Sequence, residues 1–269
     1  TGIRRQRQMC IRDSNNTKEY EGDFSDGKWH GKGIDYYRNG NKKYEGDYSE
    51  HTWHGKGIWY WSNDKNTKKY EGDFSDGKRH GKGIEYRENG NKEYEGDWSE
   101  KKRHGKGIQY DSNGNKEYEG DWSEGLPNGK GIRYYDNDNN TKMYEGDFSG
   151  NKPHGKGILY YENGKKKYEG DFSEGKGHGK GISYDENGKK CYEGDYSEGK
   201  RHGKGILYYQ NGNKLYEGDW SEGLRHGKGI EYYDNDNNTK MYDGDFSEDK
   251  RHGKGILYYE NGKKKYEGD

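Results

Sequence analysis

The sequence predicts an all-β fold: an elongated, single-layer antiparallel β-meander in which tandem β-hairpins stack as a solenoid. Three observations predict it. A unit of 24 or 26 residues repeats ten times along the 269-residue chain. Inside each unit, apolar and polar residues alternate with period two. Turn dipeptides rich in Gly, Asn and Asp bound each alternating run.

The repeat sets the boundaries. Its anchor, Tyr-Glu-Gly-Asp, begins at Tyr20, Tyr44, Tyr70, Tyr94, Tyr118, Tyr144, Tyr168, Tyr192 and Tyr216. It reads Tyr-Asp-Gly-Asp at Tyr242 and returns at Tyr266, so a partial repeat covers 266–269. The array therefore spans residues 15–269, and a chain stopping in mid-repeat reads as part of a longer one. Residues 1–14, "TGIRRQRQMCIRDS", match no repeat. They read as a non-repeat tail, disordered or artefactual, and are set aside from fold reasoning.

The elements follow in order. In "YEGDFS", Tyr20, Gly22 and Phe24 share one face of a strand and Glu21, Asp23 and Ser25 the other. "DGK" at Asp26–Lys28 is a turn. "GKGIDYY" makes a second strand over Gly31–Tyr37. Asn39-Gly40 then closes a hairpin onto the next repeat, as a dipeptide in which both residues tolerate positive φ. Three repeats carry two more residues there ("NDKNT" or "NDNNT"), an insertion confined to a loop.

Comparison among the repeats assigns the faces. The fifth position is always aromatic, from Phe24 to Phe246; the fifteenth is always Ile, from Ile34; the seventeenth is always Tyr, from Tyr36. The sixteenth drifts: Asp35, Trp59, Glu85, Gln109, Arg133, Leu159. Ile34 and Tyr36 are thus expected on the aromatic face and Asp35 in solvent, which makes Gly22→Val disruptive and Asp35→Lys nearly silent. Glycine in the Tyr-x-Gly-x-aromatic strand leaves room for a neighbour's ring to lie over the backbone. With strands ~4.8 Å apart, each repeat advances the sheet by ~10 Å and ten repeats by roughly 100 Å.

Composition fits a thin, one-dimensional fold. Hydrophobic residues are only 24% and charged residues 37%, yet aromatics reach 15%, far from the profile of a disordered chain. The chain has neither Ala nor Val. Net charge is −1; without the basic tail the array is about −4, no footprint for nucleic acid. Two cysteines, Cys10 and Cys191, build no disulfide framework, which fits a reducing, cytoplasmic setting. No apolar run approaches a membrane span.

"YEGDFSDGKWHGKGIDYYRNG" resembles the MORN (membrane occupation and recognition nexus) repeat: Tyr-x-Gly-x-aromatic, a Gly turn, His-Gly-x-Gly, then aromatics. Ten tandem copies carry the resemblance across Asn15–Asp269. The units are longer than typical, and Asn128 replaces the usual His in the fifth. The resemblance implies an extended, twisted single-layer sheet, often with a concave groove. It also implies membrane or phospholipid association, protein binding or dimerisation, in settings such as junctional membrane proteins, phosphoinositide kinases and cytoskeletal scaffolds.

Repeated columns supply the candidate sites. The Lys of "HGKGI" recurs at Lys32, Lys56, Lys82, Lys106, Lys130, Lys156, Lys180, Lys204, Lys228 and Lys254. It could meet phosphoinositide headgroups, with Trp59 and Trp61 as exposed aromatics, or pair with the equally regular Glu21-type and Asp23-type columns. Equal numbers of each sign favour pairing. A His column at ~10 Å steps cannot gather ligands around one zinc ion at ~2.1 Å. "GKGI" lacks the phosphate-loop spacing. Ser25 and its equivalents read as turn residues rather than nucleophiles. Tyr20, Gly22, Phe24, Gly31, Gly33, Ile34 and Tyr36 read as the structural residues of one repeat. No cofactor or metal is expected.

The leading function is then a non-enzymatic scaffold for a protein partner or for self-association, cytoplasmic and at membrane or cytoskeletal structures. The alternatives are a peripheral module binding anionic phospholipid or phosphoinositide, and the regulatory array of a larger enzyme such as a phosphatidylinositol phosphate kinase. Any catalytic domain would lie outside this sequence.

Overall fold

Each repeat folds as a hairpin because Asp26-Gly27 forms a two-residue turn with both φ values positive, 52° and 77°. Such turns match the right-handed twist of the strands they join. The computed structural model describes residues 17–137 and 139–269, together with the backbone of residues 6–12. Residues 1–5, 13 and 14 of the expected tail, and residues 15 and 16 at the start of the expected array, lie outside the described residues. Within that tail, Gln6–Arg12 form strand β1, paired antiparallel with β2 (Lys18–Ser25). Next come β3 (Lys28–Tyr36), β4 (Lys42–Ser49) and β5 (Thr52–Tyr60). The same two strands recur in every repeat, down to Lys250–Tyr258 and Lys264–Gly268. Consecutive strands pair antiparallel, and the described residues include no helix, hence none long and apolar enough to cross a membrane.

The chain divides into two units. One runs to Gly129 and includes Asp136–Asn140; the other holds Lys130–Tyr135 and Thr141–Asp269. Each is an all-β meander with the same register. Tyr20 stands opposite Asp35, Glu21 opposite Ile34 and Gly22 opposite Gly33; in the second unit Tyr168 stands opposite Ser183 and Glu169 opposite Ile182.

That register corrects the face assignment. Directly opposed residues in an antiparallel pair point to the same side. Tyr20, Gly22 and Phe24 therefore share their face with Gly33 and Asp35, and Ile34 and Tyr36 lie on the other face with Glu21. Asp35 is buried, 4% exposed, so the sixteenth position covers the rings instead of facing solvent, and Asp35→Lys would place a second cation beside Lys43 at a buried site.

The second correction concerns the turns. The dipeptide with two positive φ values is Asp26-Gly27, not Asn39-Gly40. At the latter only Gly40 has positive φ, 89°. The Gly40 amide donates to the Tyr37 carbonyl (2.9 Å) and the Tyr37 amide to the Asn41 carbonyl (2.9 Å), a three-residue loop that ends in a left-handed Gly. The Asn39 side chain accepts from the Asn41 amide at 3.1 Å. The second strand also starts three residues earlier than expected, at Lys28, and takes in His30.

On one face lies the core. Column tyrosines meet the fifth-position rings edge-on, within the repeat and across to the next. Tyr20 contacts Phe24 at 5.3 Å (90°) and Tyr48 at 5.2 Å (87°); Tyr44 continues to Tyr48 and Phe74. In the second unit the ladder runs from Tyr144–Phe148 to Tyr242–Phe246. Each edge-to-face pair contributes about 0.5–1.5 kcal/mol beyond its area. The Tyr20 ring lies over Gly22 and Gly33 of its own repeat, and its hydroxyl donates to the Asp23 carbonyl at 3.0 Å. The ring expected from a neighbouring repeat thus comes from the same one.

Candidate functional site

The face opposite the rings carries a groove in each unit. Behind the tyrosines, paired glycines expose bare backbone as its floor. In the first unit the groove has a volume of about 870 Å³ and is lined by Glu21, Lys32, Ile34, Glu45, Lys56 and Ile58, among others. In the second it measures about 560 Å³, lined by Lys180, Glu193, Lys204, Ile206, Glu217 and Ile230 with their neighbours. Ile34 and its equivalents are thus a half-buried apolar stripe inside the groove rather than core.

Lysines enter the groove through a bulge. Gly31 has φ +69°, and its equivalent Gly55 has φ +60°; Gly55-Lys56 are two extra residues in β5 between the pairs Asp47–His54 and Gly46–Gly57, a register that recurs in the second unit between Asp171–His178 and Gly170–Gly181. A side chain on Gly31 would press on the Asp23 carboxylate, 2.9 Å from Oδ2. The Lys32 amide donates to that carboxylate at 3.3 Å. The Lys32 ammonium reaches the next repeat and pairs with Asp47 at 2.6 Å. The same step joins Lys56 to Asp73 (2.8 Å), Lys82 to Asp97 (2.8 Å) and Lys106 to Asp121 (2.5 Å) in the first unit. In the second it joins Lys130 to Asp147 (3.1 Å), Lys156 to Asp171 (2.6 Å), Lys180 to Asp195 (2.6 Å), Lys204 to Asp219 (2.5 Å) and Lys228 to Asp245 (2.6 Å). Lys254 is exposed and makes no ion pair among the described residues.

A second set of charges lines the wall. Lys42 pairs with Glu45 at 2.8 Å, and the Tyr60 hydroxyl donates to the same carboxylate at 3.3 Å. The Lys42 hydrogen bond holds the Glu45 carboxyl below its ordinary range, while burial, followed by the Glu45 charge, pushes the Tyr60 phenol up. Such triads recur as Lys142–Glu145–Tyr160 and Lys214–Glu217–Tyr232. Every group in them is already partnered. No described group of three His, Cys, Asp or Glu side chains is placed to hold a metal ion.

Trp59 and Trp61, expected to be exposed, are half-buried. The Trp59 indole donates to the Tyr37 hydroxyl (3.2 Å) and the Trp61 indole to the Tyr86 carbonyl (3.2 Å). Lys69 lies over both rings at 4.0 and 4.2 Å. Trp61 occupies the eighteenth position of its repeat, where Tyr37 and Tyr161 bond the same carbonyl of the following repeat. Both tryptophans are structural ties.

Sequence reasoning missed the lid over the rings. Position ten covers the column tyrosine: Trp29 stacks on Tyr20 at 4.4 Å (3°) and Trp53 on Tyr44 at 4.6 Å (6°). Guanidinium groups replace the indoles later, with Arg103 over Tyr94 at 4.8 Å and Arg201 over Tyr192 at 4.9 Å. Positions ten and sixteen interact: Arg79 pairs with Glu85, and Arg225 with Glu231 at 2.5 Å. The joint variation of these two positions was the available signal.

A family model for the MORN repeat matches the chain at residues 20–42, 44–65, 70–92, 94–116, 118–139, 144–166, 168–190, 192–214, 216–237 and 242–264. No curated protein matches it.

Proposed function

The chain belongs to the MORN repeat family, a non-catalytic type of repeat, and from that premise we propose that it is a scaffold whose groove face receives a protein partner or a second copy. The observation that carries this reading is the charge balance of the groove. Nine of the ten column lysines stand on an aspartate of the following repeat. An anionic membrane would meet paired charge there, and it would find Trp59 and Trp61 tied into the sheet. A protein segment is better suited to an Ile stripe between alternating acids and bases, where an apolar centre and a charged rim recur from repeat to repeat. The setting proposed with it is cytoplasmic, beside membrane or cytoskeletal structures.

Exposed ion pairs contribute only about 0–1 kcal/mol each, so phosphate could compete for these lysines. Co-sedimentation with liposomes at physiological salt, with and without phosphoinositide, tests the order of the two readings. The scaffold reading expects the folded protein to stay in the supernatant in both cases. Sedimentation that requires the anionic lipid and weakens with salt would make the Lys column a lipid-reading stripe.

A further inference from the structure

The lid over the rings is breached at one place. In the seventh repeat, position ten is Gly177 and position sixteen is Ser183. No other full repeat has Gly at position ten: the rest carry Trp, Arg or Pro. A cleft of about 670 Å³ opens there, lined by Tyr168, Phe172, Gly177, Ser183, Cys191 and Tyr196, among others. Tyr168 is 7% exposed, against 0% for Tyr20, Tyr44 and Tyr70. A methyl group on Gly177 would sit 3.1 Å from the Tyr168 ring, so this is the face that Trp29 covers in the first repeat.

The rim carries unspent positive charge. Arg201 stands over Tyr192 and Trp220 and makes no ion pair among the described residues, whereas Arg79, Arg103, Arg225 and Arg251 all do. Its partner position holds Leu207. Lys167, over the Tyr161 ring, also makes no ion pair among the described residues. Lys200 is paired with Glu222 at 2.7 Å. The Asp185 carboxylate is engaged by the amides of Asn187 and Lys189 in its own loop, both at 2.9 Å.

We propose that this cleft is a socket for an aromatic side chain of a partner protein, in a segment where acidic residues flank the aromatic one. The ring would lie on Tyr168, as Trp29 lies on Tyr20, and the flanking carboxylates would meet Arg201 and Lys167. The site is on the face opposite the groove, so its failure leaves the scaffold reading untouched.

Cys191 lines the cleft and reports its occupancy. In the full chain carrying Cys10→Ser, the rate of Cys191 alkylation by a neutral maleimide is measured against added peptide. Burial pushes the Cys191 thiol up, so the assay runs at mildly alkaline pH. The probes are Asp-Glu-Trp-Glu-Asp and the same peptide with Ala for Trp. The Trp peptide is expected to slow alkylation severalfold and saturably, and the Ala peptide to leave it unchanged. Gly177→Trp, which fills the socket from within, should lower the basal rate and abolish the peptide effect. Gly177→Arg, which copies position ten of the next repeat, should do the same and covers the case in which the indole is not accommodated. Equal protection by both peptides, no protection, or protection that survives a filled socket would each overturn the proposal. So would a rate that falls with protein concentration alone, since a second copy would then be the occupant.

Discussion

Gly33 has no room for a methyl group. Its Cβ would run into the hydroxyl end of the Tyr20 ring, which is held in place by its bond to the Asp23 carbonyl. Gly33→Ala should therefore cost about 1–3 kcal/mol, the scale of overpacking in a tight core, read as a lowered midpoint in denaturant. Asp35 is the opposite case. Burial pushes its carboxyl up, against the pull of Lys43 at 3.1 Å, and its Oδ1 has no hydrogen-bond partner among the described residues. A carboxyl raised in the fold is penalised when charged. That penalty is absent below the unfolded value near 3.9 and grows as pH rises through the folded one. Asp35→Asn should stabilise at neutral pH, with a gain that vanishes in acid; a loss at neutral pH would mean that the Lys43 pair dominates. The aromatic and glycine positions are legible in the sequence because their spacing is fixed. The face of Ile34 is not, because its constancy reflects the groove rather than the core. Yet a two-residue turn pairs even positions with odd ones, so Tyr20 must face Asp35 rather than Ile34.

At the scale of the element, the hairpin turns are both tie and strain. In eight repeats among the described residues the amide of the second turn residue reaches back to the preceding repeat, as from Gly77 to the Trp53 carbonyl (2.9 Å) and from Lys101 to the Arg79 carbonyl (3.1 Å). The first turn residue joins in through its side chain, as in the pairs Lys152–Glu174 (2.7 Å) and Lys200–Glu222 (2.7 Å). This explains a Glu where positive φ would favour Gly or Asn. At Glu100-Lys101 the geometry holds two non-glycine residues left-handed, at 48° and 73°. Left-handed backbone costs such a residue roughly 1–2 kcal/mol. Lys101→Gly keeps the backbone bond, and it should stabilise by about 1 kcal/mol once the greater freedom of the unfolded chain is counted. Gly125→Ala, at φ 86°, should do the reverse, and equal thermal shifts from the two would remove strain as the cause. The sequence marks both turns of each repeat but not which is the tighter. Asn-Gly serves either geometry, and the three-residue loop is set by pairing across to the next strand.

Across the whole molecule, stability rests on phenols that are withheld from water. Burial pushes the Tyr20 hydroxyl up to about 12 and raises those of Tyr44, Tyr70, Tyr94, Tyr144, Tyr168, Tyr192, Tyr216 and Tyr242 as well. An unfolded tyrosine ionises near pH 10. The unfolded state therefore loses these protons first. The stabilisation is complete below about pH 10 and is lost as pH rises through the folded values. Because rings contact those of the adjoining repeat within each unit, as Tyr44 contacts Phe74 and Tyr192 contacts Trp220, one phenolate uncovers its neighbours, and ionisation of the column should coincide with loss of the strands. Tyrosinate absorbance and far-ultraviolet dichroism, followed together from neutral pH upward, check this. A share of the tyrosinate signal should be withheld until the dichroism collapses, whereas in denaturant the whole signal should titrate near pH 10. Full ionisation with intact dichroism would mean that the rings sit on the sheet rather than hold it together.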